Sequence, residues 1–195
     1  MIENIVESIN NNIIGRLAIF GMEEARAIYD VAKLPGDHLE IGCLWGGTAI
    51  LTALTKKENN VPGHVYTIDF MQGGYWVHGD PSVGFAIPTQ TKVLDNINTF
   101  DVADMVTVIK ASSNPLPIEK GVRPVSVLID GGHSYEACLQ DWENVKKLQP
   151  KFVLIHDYGT GKHPGVQMAV DDIILKDENW NHVKTVNTMV VMERK

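Results

Sequence analysis

The chain has no apolar run approaching the eighteen or so residues that span a bilayer, and no dense cluster of lysine and arginine. The first absence argues against a membrane-spanning protein. The second, with a formal net charge of −7, argues against nucleic acid or an anionic membrane as partner, because both need a basic footprint. Cysteine is scarce: Cys43 and Cys138 fall at a strand exit and inside a helix, where packing as small hydrophobes is expected rather than a disulfide. The opening residues, MIENIVESINNNIIGRL, carry acids where a secretory signal carries bases. They show no small-residue cleavage site, so a cytoplasmic protein is expected. Repeats and low-complexity tracts are absent. So are G-x-G-x-x-G and the G-K-[ST] of a phosphate-gripping loop, which disfavours NAD and ATP as ligands.

What is present is an ordinary soluble composition: 195 residues, 44% hydrophobic and 21% charged. That length suits a single domain over 1–195, burying about 70% of the surface of the unfolded chain. Apolar runs recur between helical stretches: HLEIG, HVYTID, MVTVIK, VSVLID, KFVLIHD, HVKTVN and TMVVMER. The first five are near-continuous Val, Ile and Leu, as strands covered by helices on both faces require. The spacing predicts an α/β fold, doubly wound and Rossmann-like, with a mostly parallel seven-stranded sheet. The last two runs nearly abut at Asn187-Thr188, so a tight hairpin makes one of them the lone antiparallel strand. Helices are expected within 1–35, where MEEARAIYDVAKL has apolar residues at helical spacing and acids in its first turn. Residues 71–90, rich in glycine and carrying Tyr75, Trp76 and Phe85, are too long for a simple connection and are expected to be a lid or substrate loop.

Chemistry concentrates after the strands. The first ends in LEIGCLWGGTAI, where Glu40, Gly42, Gly46, Gly47 and Thr48 lead into a helix. A glycine-rich turn lets a nucleotide-like ligand lie against bare backbone at a helix N-terminus; the alternative is a turn that merely packs. The second strand ends in Asp69, where an acid can accept hydrogen bonds from both ribose hydroxyls; the alternative is an acid that only caps a helix. The fourth runs into Asp130-Gly131-Gly132-His133 and the fifth into His156-Asp157. Ser112 or Ser113, after the third, could reach a base or simply form a solvent turn.

The E-I-G-x-x-x-G-G-T turn, Asp69, SVLIDGGHSYEACLQDWENVKKLQPKFVLIHDYG and HPGVQMAVDDII together resemble the class I S-adenosylmethionine-dependent methyltransferases. The resemblance is to the metal-assisted branch with macrocin-type sugar O-methyltransferases and cephalosporin-hydroxylase-like proteins. It spans about residues 20–193, and the IDGGHSYEACLQD element is its specific part. It implies S-adenosylmethionine at Glu40, Gly42, Gly46, Gly47, Thr48, Asp69 and Ser112. In an open α/β sheet the ligand lies beyond the carboxyl ends of the strands, so Asp130, His156 and Asp157 are placed to converge on one divalent cation, with His133 free beside it. The resemblance implies the same division, with His133 as base and Asp130 beside it in catalysis.

The sequence departs from that family at His156, where an acid is usual. Imidazole suits manganese and later transition metals better than magnesium, which leaves Mg, Mn or another transition metal open. The plainer alternatives are a core or supporting histidine at 156, and helix caps at Asp130, Asp157 and His133. Tyr158, His163 and Asp141 read as structural or substrate-lining, and Trp142 and Trp180 as core. The expected acceptor is a small molecule or sugar, with a homo-oligomer left open. Two rivals are a silent cosubstrate-binding protein of the same fold and a metal-dependent hydrolase, which leaves the glycine turn unexplained.

Overall fold

The computed structural model describes residues 2–13, 21–72 and 88–195, and the backbone of 75–76 and 85–86. Two amphipathic helices come first. Ile2, Ile5, Val6 and Ile9 line one face of α1 (Ile2–Asn12), and Ala25, Ile28, Val31 and Ala32 line one face of α2 (Met22–Ala32). Then strands and helices alternate: β1 (His38–Ile41), α3 (Gly47–Glu58), β2 (Val65–Asp69), the short pair β3 (Tyr75–Trp76) and β4 (Phe85–Ala86), and α4 (Gln90–Thr99). The second half holds β5 (Val106–Lys110), β6 (Ser126–Ile129), α5 (Tyr135–Lys146), β7 (Phe152–Ile155), α6 (Pro164–Asp172), β8 (Trp180–Val186) and β9 (Met189–Arg194). Most of the expected lid or substrate loop, residues 71–90, lies outside the described residues; its two short strands pair antiparallel.

The main sheet has seven strands in the order β5-β2-β1-β6-β7-β9-β8. β9 runs antiparallel to both its neighbours, so the expected lone antiparallel strand is found, inserted between β7 and β8. Side-chain alternation divides the core in two. Leu128, Leu154, Met189 and Val191 face a layer made by α1, α2, α3 and α4. Val127, Ile129, Val153, Ile155, Val190 and Met192 face α5 and α6. Both faces of β1, β6 and β7 are therefore covered, which is why those segments read as unbroken apolar runs. α3 is buried almost all round, between the sheet and the first two helices. Among the described residues no helix is long and apolar enough to cross a membrane.

The strand order reverses between β1 and β6, the place where an open α/β sheet forms its crevice. Ile41, Ile68, Ile129 and Ile155 stand in register. The ladder then runs one step further: Gly42 N–H donates to the Ile68 carbonyl at 2.9 Å, Asp130 N–H to Ile41 at 2.8 Å and His156 N–H to Ile129 at 3.0 Å. Residues 42, 130 and 156 thus leave the sheet side by side. At that exit Gly42 has a φ of +98°, and a Cβ there would lie 2.0 Å from the Asp130 carbonyl oxygen. Only glycine lets the two strand ends come this close.

Gly42→Ala is therefore expected to destabilise the fold by about 3 kcal/mol or more, since it adds backbone strain to a collision with main chain. Urea denaturation of the variant checks this, and an unchanged midpoint would show that the strand ends part without cost.

Candidate active site

The glycine turn is held from below and from the side. Gly46 is the N-cap of α3, and its N–H closes the turn on the Cys43 carbonyl at 2.8 Å. Leu44 takes a left-handed φ of 47°. Asp69 clamps this conformation: Oδ2 accepts the N–H groups of Cys43 at 2.8 Å and Leu44 at 3.0 Å, while Oδ1 accepts Met71 N–H at 2.6 Å. Asp69 thus braces the turn that it was expected to serve as a ribose acceptor. Glu40 and Thr48 lie buried beneath the turn. Burial pushes the Glu40 pKa up to about 8, against the opposing hydrogen bond from Thr67 Oγ1 at 2.5 Å. Ser112 is exposed, and its hydroxyl is engaged with Asn114 of its own turn.

The strand ends bring Asp130, His133, His156 and Asp157 together. His156, 3% exposed, places Nδ1 at 3.0 Å from Asp130 Oδ1 and 3.7 Å from Asp157 Oδ1. The other oxygen of Asp157 lies 3.0 Å from His133 Nε2 and 3.6 Å from His163 Nε2. Asp157 itself has a left-handed φ of 66°, a strain of about 1–3 kcal/mol typical of functional positions. Two groupings of possible cation ligands result, Asp130–His156–Asp157 and His133–Asp157–His163, each with its ligand atoms within 4.8 Å of one another. They share Asp157.

None of these side chains caps a helix. Ser134 is the N-cap of α5, its Oγ accepting Ala137 N–H at 3.1 Å, so His133 is free of that duty. The glycines before His133 answer a packing demand: a Cβ on Gly131 would lie 2.9 Å from the Ile41 side chain, and one on Gly132 2.6 Å from Ala137 Cβ. Burial pushes the Asp157 pKa up, but His133, His156 and His163 together outweigh it and leave it lowered. The hydrogen bond to Asp157 raises the His133 pKa. Burial works against a charged His156, yet Asp130, Asp157 and Glu24 overcome it and leave that pKa raised.

The sequence reading underrated His163, whose ring stacks on His133 with centroids 4.0 Å apart. It missed two residues. Glu24 on α2 lies 3.9 Å from His156 Nε2, and Thr188, in the β8–β9 turn, places Oγ1 at 3.2 Å from the same nitrogen. A signal for Glu24 existed: it sits four, seven and eight residues before Ile28, Val31 and Ala32, on the buried face of its helix. Trp142 and Trp180 are core residues, as expected, with ring centroids 5.0 Å apart.

A glycine turn braced by a strand-end acid, at the switch point of this sheet order, defines a class, and the family comparison agrees. The model of the methyltransferase domain matches residues 39–158. The chain belongs to that family, and it is an S-adenosylmethionine-dependent methyltransferase. No curated protein sequence matches it. Solved structures share the fold at low identity. The O-methyltransferase NovP is 20% identical, with 90% of this chain and 81% of that one covered at a TM-score of 0.72. The calicheamicin methyltransferase CalS11 is 15% identical, covering 87% and 77% at 0.62. The SAH-bound methyltransferase PaMTH1 of Podospora anserina is 12% identical, covering 100% and 87% at 0.64.

The Asp157 pairs carry a pH signature in metal-free protein. His133, with its pKa raised above 6.5, contributes stability that is complete below that value and lost as pH rises through the raised one. Asp157, lowered from 3.8, contributes stability that is present above 3.8 and lost as pH falls through the lowered value. Asp157→Asn should therefore cost most between these limits. Thermal unfolding in chelator is expected to show a larger loss at about pH 5.5 than at about pH 9; equal losses would mean the pairs add nothing.

Proposed function

We propose that the protein transfers the methyl group of S-adenosylmethionine to a hydroxyl oxygen of a small molecule or sugar, with a divalent cation held by Asp130, His156 and Asp157 and with His133 as base. The observation that carries this reading is the convergence of Asp130, His133, His156 and Asp157 on the sheet edge that also bears the glycine turn. A vicinal diol, as on a sugar, suits such a cation as a chelating acceptor. Among the similar structures, NovP is an O-methyltransferase and CalS11 a TDP-rhamnose 3'-O-methyltransferase.

Methyl transfer from a sulfonium is an in-line displacement that needs the acceptor oxygen about 3–3.5 Å from the methyl carbon. Gly42, Gly46 and Gly47 offer bare backbone at the start of α3 for the cosubstrate, and Asp69 holds that turn in shape. His133, partly exposed at the crevice, accepts the acceptor's proton, and Asp157 orients its ring and favours its charged form. Two carboxylates and an imidazole suit manganese or a later transition metal at least as well as magnesium. A divalent cation there supplies Lewis acidity, which makes an oriented hydroxyl easier to deprotonate.

The His133–Asp157–His163 grouping favours a second arrangement, in which His133 is a ligand and no longer a base. Binding of Mn²⁺ to His156→Ala and His163→Ala separates the two. Loss of binding in the first alone is expected, and loss in the second alone moves the cation. Chelation should abolish methyl transfer to hydroxylated acceptors, followed by release of S-adenosylhomocysteine, and Mn²⁺ should restore it at least as well as Mg²⁺. Full activity after exhaustive chelation would end the cation reading.

His133→Ala is expected to leave cosubstrate affinity intact and to lower turnover on the order of 10²–10⁴-fold, the range of a lost general base. The deficit should shrink as pH rises, because more of the acceptor ionises unaided. Near-normal turnover across about pH 6–9 would remove His133 from the chemistry.

A further inference from the structure

Behind His156 stands a buried arm that the proposed chemistry leaves unused. Glu24 is 3% exposed, and each of its described hydrogen bonds is one that its carboxylate accepts. Gly21 N–H donates to Oε2 at 2.8 Å; Thr188 N–H at 2.9 Å and Thr188 Oγ1 at 2.7 Å donate to Oε1. A hydroxyl has one hydrogen. With that hydrogen committed to Glu24, Thr188 Oγ1 turns a lone pair toward His156 Nε2, 3.2 Å away. Nε2 must then carry a hydrogen to make the contact favourable. Glu24 Oε1, 3.9 Å from Nε2, adds negative charge on the same side. The opposite nitrogen, Nδ1, is the one that faces Asp130 and Asp157.

We propose that Glu24 and Thr188 are positioning residues that hold His156 in its Nε2–H form, so that Nδ1 is presented to the two aspartates as the third donor to a divalent cation. The inference rests on the cation reading above and extends it. A histidine ligand whose far nitrogen is hydrogen-bonded is fixed in tautomer and orientation and made a better base, and loss of such support typically costs 10–100-fold in metal affinity. Here the support runs through a hydroxyl, from a residue 164 positions away from it in the sequence.

The test uses the full chain and Mn²⁺ alone as probe, titrated by calorimetry and electron paramagnetic resonance. Thr188→Val removes the hydroxyl but keeps the backbone bonds of Thr188 to Glu24 and to Tyr158 N–H, and Thr188→Ser keeps the hydroxyl. Wild type and Thr188→Ser are expected to bind alike, and Thr188→Val and Glu24→Gln about 10–100-fold more weakly. Nitrogen-15 spectra of the Zn²⁺-loaded wild type should place the His156 proton on Nε2. Equal affinity in all four proteins, or a proton on Nδ1 in the loaded wild type, overturns the positioning role and leaves the cation reading standing. Failure of the wild type to bind Mn²⁺ overturns both. Should Glu24→Gln not fold, the valine and serine variants decide the matter.

Discussion

Three carboxylates, from Glu24, Asp130 and Asp157, surround one buried imidazole. Like charges so close repel strongly where water is largely excluded, and Glu24, the most buried of the three, has no path to solvent without movement of α2. The His156 ring is what makes the arrangement tenable, because it offers a donor or a metal-binding nitrogen toward each side. Much of the architecture around it serves to keep that ring central. The register of β1, β6 and β7 fixes where its backbone leaves the sheet, α2 supplies the acid behind it, and the β8–β9 turn supplies the hydroxyl between.

The same crowding explains the division of labour at the crevice. Asp157 turns one oxygen to His156 and the other to His133 and His163, so one residue links the buried half of the cluster to the open half. A change of charge on either side is felt on the other through a single carboxylate. The glycine turn is held separately: it leans on Asp69, and meets the cluster through the close approach of Gly42 to Asp130.

The fold was legible because its signals are local. Unbroken Val, Ile and Leu runs mark strands covered on two faces, and the short gap at Asn187-Thr188 marks the hairpin that makes β9 antiparallel. The residues after each strand were legible for the same reason, since the sheet alone brings Asp130, His133, His156 and Asp157 to one edge. Thr188 was not, and of Glu24 only its place on the buried face of α2 was. An acid in a first helical turn reads as a complement to the helix dipole, and a threonine in a turn reads as solvent-facing. What gives each its role is the other, and no local pattern encodes a contact across that much chain. The place of Asp69 at a strand end was legible, while its clamp on Cys43 and Leu44 depends on a turn shape that sequence spacing does not convey.

The docking of the β8–β9 turn onto Glu24 also has a bearing on synthesis. Glu24 leaves the ribosome before His156, and Thr188 after both, 164 residues behind its partner. Until then the buried acid lacks two of the donors it will accept from, and the histidine lacks the group that orients it. Contacts of such long sequence separation form late and slowly. The ends of β1, β6 and β7 can therefore meet before the β8–β9 turn arrives to complete the surroundings of the His156 ring.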